Sequence, residues 1–175
     1  MSIGREAEKI NSLAKDTVVL PTVTFVGIGV RTSNMDELNL GTAKIAETIQ
    51  KYMSEAVYDK IPHRKTPGKT YCIYTEYESD HAGEYTYFIG EEIDSLTKVP
   101  EGLKAIIVPS QSYAKFTTAQ GVMPQVCIDG WMQIWKMTTE DFGGKRSYVA
   151  DFEVYDERAL DPTNTVLDIY IGIKH

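Results

Sequence analysis

Cysteine is scarce in this sequence: Cys72 and Cys127 are the only two in 175 residues, and they lie far apart. Small extracellular domains that depend on disulfide bonds are usually rich in cysteine. No apolar run approaches the roughly 18 residues that a membrane helix needs. The N-terminal stretch also has no apolar segment of the kind found in a signal peptide. We therefore expect a cytoplasmic protein without a membrane partner, in which both thiols are reduced and buried.

Basic residues are outnumbered, since 18 lysines and arginines stand against 25 aspartates and glutamates, which gives a net charge of −7. An acidic chain without a long basic run is poorly suited to phosphate backbones, so we expect no direct binding of nucleic acid. No segment suited to a helix-turn-helix precedes residue 17 or follows residue 174, which predicts a stand-alone domain.

Familiar catalytic and metal-binding motifs are also absent. The three histidines, His63, His81 and His175, fall in predicted loops or at the terminus, and no H-x-x-x-H or C-x-x-C spacing occurs. The glycines of VGIGV do not open a helix as a dinucleotide-binding loop does. Ser110 and Ser112 lack the G-x-S-x-G context of a serine hydrolase. The sequence thus predicts neither a metal nor a cofactor.

The same succession of elements occurs twice along the chain. In the first half, a β-branched run predicts a strand over 18–32, helical spacing of apolar residues predicts a helix over 38–57, and a hairpin follows over 70–79 and 85–93. In the second half, an extended segment over 102–118 is broken at Pro109, a helix begins at Pro124, and strands follow over 147–156 and 166–174.

This order, strand–helix–strand–strand, predicts a duplicated unit. Tyr74-Thr75-Glu76-Tyr77 aligns with Phe152-Glu153-Val154-Tyr155, and Phe88-Ile89-Gly90 aligns with Tyr170-Ile171-Gly172. We expect an arm or short helix over 1–16 and one domain over 17–175, with half-repeats over about 17–98 and 102–175.

Strand alternation assigns residues to the two faces of the sheet. In the second half, we expect the helices to cover Leu167, Ile169, Ile171 and Ile173, together with Phe152 and Val154. In the first half, we expect them to cover Cys72, Tyr74, Tyr85, Tyr87 and Ile89. The opposite face would then carry Ile73, Thr75, Tyr77, Thr86, Phe88, Glu153, Tyr155, Asp168 and Tyr170.

The face that we expect to lie opposite the helices has the composition of a binding surface. Tyrosine is abundant, with 11 residues against 5 phenylalanines, and four aromatic residues would be exposed together, which usually marks a binding site. When the two halves are aligned, Glu153 corresponds to Thr75 and Asp168 corresponds to Thr86. The second half therefore adds two carboxylates to this aromatic face. The alternative is an ordinary solvent-exposed face, on which Asp and Glu are common.

Several stretches resemble the GyrI-like small-molecule-binding domains, which also form the effector-binding portions of AraC-type and multidrug-responsive transcription regulators. They are LPTVTFVGIGVRT, VPSQSYAKFTT, GWMQIWKM and, most specifically, DFEVYDERALDPTNTVLDIYIGIK. The resemblance covers about residues 17 to 174. It implies an α+β fold of duplicated βαββ units with pseudo-two-fold symmetry, in which an antiparallel sheet carries two main helices and a cleft lies between the halves.

The resemblance also implies an aromatic cleft with an acidic residue that binds cationic or polar aromatic compounds. The corresponding residues here are Glu153, Asp168, Tyr170 and Trp135. The final strand of the family often carries Glu where this chain has the shorter Asp168, so we expect Glu153 to be the central carboxylate. To these we add Trp131, one helical turn from Trp135, and Tyr77, Phe88 and Tyr155 as ligand-binding candidates. At least one tryptophan should border the cleft.

Three functions remain open at this stage. The first is a small-molecule binding protein for drugs or toxins. The second, also implied by the resemblance, is a hydrolase of strained cyclopropane-containing genotoxins, with Glu153, Tyr155 and Tyr170 as the catalytic residues. The third is an inhibitor of a larger enzyme such as gyrase, acting through a protein partner, although fold by itself is weak support for function.

Overall fold

The strands of the described part of the chain all belong to one antiparallel sheet, in the order β1-β6-β8-β7-β3-β4-β2-β5. The computed structural model describes residues 14–175. The strands are β1 (Ala14–Leu20), β2 (Val23–Ser33), β3 (Thr70–Thr75), β4 (Glu84–Glu92), β5 (Lys104–Val108), β6 (Gln111–Thr117), β7 (Lys145–Tyr155) and β8 (Asp168–Lys174). Most of the predicted arm over 1–16 lies outside the described residues, and residues 14–16 open β1.

Two main helices, one in each half, connect the strands. They are α2 (Ile45–Ser54) and α4 (Gln125–Trp135), accompanied by the short helices α1 (Asn34–Glu37), α3 (Val57–Lys60) and α5 (Thr139–Phe142) and by a 3₁₀ turn at Glu157–Ala159. Exchanging each strand of the first half with its counterpart in the second half (β1 with β5, β2 with β6, β3 with β7 and β4 with β8) gives the same strand order read from the opposite edge of the sheet. The fold is therefore the predicted α+β duplication with pseudo-two-fold symmetry.

The sheet must curl, because two very short links join strands that lie six positions apart in it. Residues 21–22 connect β1 to β2, and residues 109–110 connect β5 to β6. Such a link spans at most about 11 Å, whereas six strand spacings in a flat sheet measure about 29 Å. The two corners meet: the Ser110 hydroxyl donates to the Leu20 carbonyl at 2.9 Å, and the Ser110 amide donates to the Thr22 hydroxyl at 3.2 Å.

Curling buries the centre of the sheet on both faces. On the face toward the helices, Cys72, Tyr85, Tyr87 and Ile89 pack with Tyr52 of α2, while Ile169, Ile171 and Ile173 pack with Ile134 and Phe142. These assignments agree with the predicted ones. The other face carries an aromatic and aliphatic cluster whose members include Phe25, Tyr71, Ile73, Phe88, Tyr113, Phe152 and Val154.

The prediction of which β7 residues face the helices is wrong. Glu153 lies directly opposite Cys72 in β3 and Ile169 in β8, so it shares the helix face with them. Phe152 lies opposite Tyr170 on the other face. The prediction assumed that apolar residues mark one buried face, an assumption that fails in a strand buried on both sides. The alignment of Glu153 with Thr75, which faces away from the helices, fails for the same reason.

The predicted helix over 38–57 is also shorter than expected. The Glu37 carboxylate accepts hydrogen bonds from the backbone amides of Lys44, at 2.9 Å, and Ile45, at 3.3 Å, and so fixes the start of α2. Residues 38–44 form turns, in which Leu40 is 99% exposed. The buried residues of α2 are Thr48 and Tyr52, whereas the apolar side chains of Ile49 and Met53 are exposed. The predicted strand over 18–32 is interrupted at Pro21 and Thr22.

We predict that Gly27→Ala strongly destabilises the protein. A Cβ atom at Gly27 would lie 2.0 Å from the Ile89 carbonyl oxygen, so β2 and β4 would have to separate. Overpacking of this kind costs roughly 1–3 kcal/mol of unfolding free energy, measurable by urea denaturation. Gly41→Ala is the matched control, because the nearest atom to a Cβ there is a side-chain oxygen at 3.4 Å. Equal stability of the two variants would contradict the close approach of β2 and β4.

Candidate functional site

A cavity of about 250 Å³ lies between the two halves on the helix face of the sheet. We call it the cleft. The first half contributes Asn34, Glu37, Ile45, Tyr74, Tyr77, His81 and Tyr85, and the second half contributes Cys127, Ile128, Trp131, Trp135, Arg146 and Glu153. A wider groove of about 940 Å³ continues outward from it past Trp135 and Arg146 to Leu38 and Tyr148. The cleft is thus largely aromatic and open on one side.

Glu153 is the buried carboxylate of the cleft, with only 3% of its surface exposed. Its Oε1 atom accepts hydrogen bonds from the Trp131 indole nitrogen at 2.6 Å and from the Tyr74 hydroxyl at 2.9 Å. Its Oε2 atom accepts one from the Tyr155 hydroxyl at 2.8 Å. All three donors are neutral, and no ion pair among the described residues includes Glu153.

These surroundings keep the neighbouring acidic groups protonated. Burial, followed by the nearby Glu153 carboxylate, raises the pKa of both Tyr74 and Tyr155 above the usual tyrosine range. The same two causes raise the pKa of the Cys127 thiol. Cys127 therefore lines the cleft as a thiol rather than a reactive thiolate, and the two tyrosines remain hydrogen-bond donors to Glu153. Both Cys72 and Cys127 are free cysteines.

A second buried carboxylate, Asp151, lies two residues away on the same strand, but its charge is compensated. Arg146 donates to Asp151 Oδ2 at 2.7 Å, and the Tyr77 hydroxyl donates to the same atom at 2.6 Å. The Gly172 amide donates to Oδ1 at 2.8 Å. Arg146 also lies over the Tyr148 ring, 4.5 Å from its centroid. This network places a paired charge beside the cleft, which Tyr77 and Arg146 line.

Tryptophan and tyrosine rings form the walls around Glu153. Trp131 meets Tyr74 edge-on, with their ring centroids 5.1 Å apart, and lies 6.3 Å from Trp135. Both tryptophans line the cleft; Trp131 is half-buried and Trp135 is 59% exposed. Because these are the only two tryptophans in the chain, the tryptophan fluorescence of the protein reports on this site.

The structure brings together some of the predicted site residues and separates others. Glu153, Trp131, Trp135 and Tyr77 line the cleft, and Tyr155 contacts Glu153 from beside it. Phe88, Asp168 and Tyr170 lie on the opposite face of the sheet, so the predicted proximity of Glu153 to Asp168 and Tyr170 is wrong.

The three displaced residues have structural partners on their own face. Arg158 donates to Asp168 Oδ2 at 2.6 Å. Tyr170 stacks on Phe152 with centroids 4.6 Å apart, and Phe88 is fully buried. The sequence pattern put Glu153 beside Asp168 because it assigned Glu153 to the face of the sheet that turns away from the helices. In the structure, Glu153 faces the helices and Asp168 does not.

Several residues of the cleft were missed by sequence reasoning. Tyr74 was assigned to the core, Asp151 and Arg146 were not considered, and Glu37 had no predicted role. An aspartate and an arginine five residues apart are common in any sequence, so only the bulge between Arg146 and Asp151 in β7 makes them a pair. Glu37 caps the amides of Lys44 and Ile45 from seven and eight residues away, so no local capping pattern in the sequence indicates this role.

No group of three or more histidine, cysteine, aspartate or glutamate side chains in residues 14–175 is arranged to hold a metal ion. Within the same range, no helix is long and apolar enough to span a membrane.

Comparison with known proteins gives a consistent result. YobU of Bacillus subtilis, classed by its name with transcriptional regulators, is 29% identical over 159 residues, which are 86% of this chain and 91% of YobU. The crystal structure of the integron cassette protein VCH_CASS2, from the mobile metagenome of Vibrio cholerae, superposes with a TM-score of 0.74 at 29% identity and covers 94% of this chain and 99% of that one.

The structure of SAV2435 bound to tetraphenylphosphonium has a TM-score of 0.72 at 20% identity, over 92% of this chain and 94% of that one, and shows the same fold. The model of the Cass2 family, described as integron-associated effector binding protein, matches residues 17–173. With its two βαββ halves and the cleft between them, the chain belongs to the Cass2 family of effector-binding proteins, whose GyrI-like fold it shares.

Proposed function

We propose that the cleft binds a hydrophobic aromatic cation and holds its positive charge against Glu153. The observation that carries this proposal is the state of that carboxylate: it is buried, it accepts hydrogen bonds only from neutral donors, and no described residue forms an ion pair with it. A buried charge without a counter-ion is costly. A cationic ligand supplies the missing charge at the moment it displaces water from the cleft.

The walls of the cleft favour the same class of ligand. Tyr74, Trp131 and Trp135 offer aromatic faces and edges beside the carboxylate, and each cation–π contact contributes roughly 0.5–2 kcal/mol. The net charge of −7 attracts cations to the protein as a whole. The tetraphenylphosphonium bound by SAV2435 is a compound of this class, which supports the choice of that cation as a probe.

Asp151 is the natural comparison for Glu153, because both are buried carboxylates on one strand. Asp151 already has its cation in Arg146, 2.7 Å away, and so is available to a ligand only if that pair breaks. We therefore assign Asp151 to the stability of the cleft and Glu153 to ligand recognition.

We predict that tetraphenylphosphonium quenches tryptophan emission and that Glu153→Gln weakens its binding about 10- to 150-fold. This corresponds to roughly 1.5–3 kcal/mol, the scale of the attraction between opposite charges about 5–10 Å apart at an effective dielectric constant of about 20. Calorimetry measures the affinity, and emission from Trp131 and Trp135 reports the site.

Glu55→Gln makes the same change in net charge at an exposed position and should leave affinity unchanged. Neutral triphenylphosphine oxide should bind wild type and Glu153→Gln alike. Equal tetraphenylphosphonium affinity for wild type and Glu153→Gln would refute the role of Glu153.

We predict the opposite ranking for stability. Asp151→Asn leaves the Arg146 charge buried without its partner and should lower the unfolding free energy by about 3–5 kcal/mol. Glu153→Gln should change it by less than about 1 kcal/mol, because the Tyr74 and Tyr155 hydroxyls can rotate to accept hydrogen bonds from the new amide. Urea denaturation compares the two variants. A larger loss for Glu153→Gln would show that Glu153 is a structural residue.

Hydrolysis of an electrophilic cyclopropane compound stays a prediction, as does inhibition of gyrase. Glu153 and Tyr155 are in contact at 2.8 Å, whereas Tyr170, the third predicted catalytic residue, lies across the sheet. Product analysis after incubation with such a compound separates catalysis from binding, because a catalytic Glu153 would make turnover collapse in Glu153→Gln while ligand affinity changed little.

A further inference from the structure

The face of the sheet that turns away from the helices has a cavity of its own, of about 220 Å³, inside the curl of the strands. We call it the sheet-face cavity. Its lining is mainly aromatic and aliphatic and includes Val23, Tyr71, Tyr113, Phe152 and Tyr170, with Lys69 at its rim. A curled sheet of eight strands has room for one small ligand in its interior.

The aromatic floor of this cavity is rigidly packed. Phe152 and Tyr170 stack with an interplanar angle of 18°, and Tyr113 meets both rings edge-on, at centroid distances of 5.2 and 5.9 Å. Tyr71 packs against Phe152 with centroids 5.7 Å apart. Flat rings held in fixed positions favour a flat aromatic ligand, since offset and edge-on ring contacts each contribute energy beyond area burial.

The unpaired charge at the rim is opposite in sign to the unpaired charge of the cleft. Glu92 is paired with Lys65 at 3.1 Å. The Lys69 ammonium lies over the Tyr71 ring at 5.5 Å and forms no ion pair or hydrogen bond with any residue in the range 14–175. Asp156, the carboxylate whose charge Lys69 influences, is held by Arg158 at 2.8 Å. Lys69 therefore offers its charge to an incoming anion.

We infer that the sheet-face cavity is a second ligand site, which takes a small flat aromatic carboxylate with its ring on the Phe152–Tyr170 stack and its carboxylate at Lys69. The size fits this class, because a cavity of about 150 Å³ already holds a benzene molecule. The site does not depend on the proposed function of the cleft. Strand β7 separates the two cavities, since Glu153 faces one while Phe152 and Val154 face the other.

Titration calorimetry with 2-naphthoate tests this inference. Wild-type protein should bind one equivalent, and Lys69→Met should weaken binding about fivefold, the upper range for a half-exposed ion pair. Lys51→Met, an exposed lysine of α2 on the other face, is the matched control and should bind like wild type. The uncharged analogue 2-naphthamide should bind wild type and Lys69→Met equally, and more weakly than the carboxylate binds wild type.

Filling each cavity in turn locates the site. Val23 is half-buried at the start of β2, so Val23→Trp should occupy the sheet-face cavity and abolish 2-naphthoate binding while the thermal transition stays cooperative. Ile128→Trp fills the cleft instead and should leave 2-naphthoate binding unchanged, as should Glu153→Gln.

Three outcomes would overturn the inference. They are no binding of 2-naphthoate to wild type, loss of its binding in Ile128→Trp but not in Val23→Trp, or equal affinity for the carboxylate and the amide. None of these outcomes affects the cation proposal, whose test is the tetraphenylphosphonium affinity of Glu153→Gln.

Discussion

The two-residue links at Pro21–Thr22 and Pro109–Ser110 are the constraint on which the rest of this structure depends. Each link sends the chain from one edge region of the sheet to the other, and a flat sheet would put those strands about 29 Å apart. The sheet curls to bring them together, and Ser110 joins the two corners through its hydrogen bonds to Leu20 and Thr22. Curling then buries the central strands on both faces.

Because β7 is buried on both faces, its side chains contribute to two separate regions of the structure. Its alternate residues face opposite sides, so Asp151 and Glu153 lie on the face of the cleft, which Glu153 lines, and Phe152 and Val154 lie in the aromatic interior of the curl. A shift of one residue in its pairing would reverse all four. The Gly172 amide of β8 donates to the Asp151 side chain and so joins the two strands, while the Arg146–Asp151 pair spans the bulge within β7.

The electrostatics of the cleft depend on a difference between the two buried carboxylates of β7, Asp151 and Glu153. Asp151 is compensated within the fold by Arg146, whereas Glu153 is surrounded by an indole and two phenols that donate hydrogen bonds without contributing charge. Burial and the charge of Glu153 both keep those phenols protonated. The cleft therefore presents a buried carboxylate between aromatic walls, the arrangement on which the proposed recognition of a hydrophobic cation depends.

The sequence by itself determined the order of elements, the hairpin of β3 and β4, the helix after Pro124, the duplication and the family, since these depend on local periodicity, turn residues and motif. It also singled out Glu153. Only the tertiary structure decided which residues meet Glu153, because that depends on the face of β7, and a strand covered on both sides has no polar–apolar alternation to reveal it. The pairing of Arg146 with Asp151 arises from a bulge, and the start of α2 from the side chain of Glu37. These contacts come from strand pairing and capping, which hydrophobic periodicity does not encode.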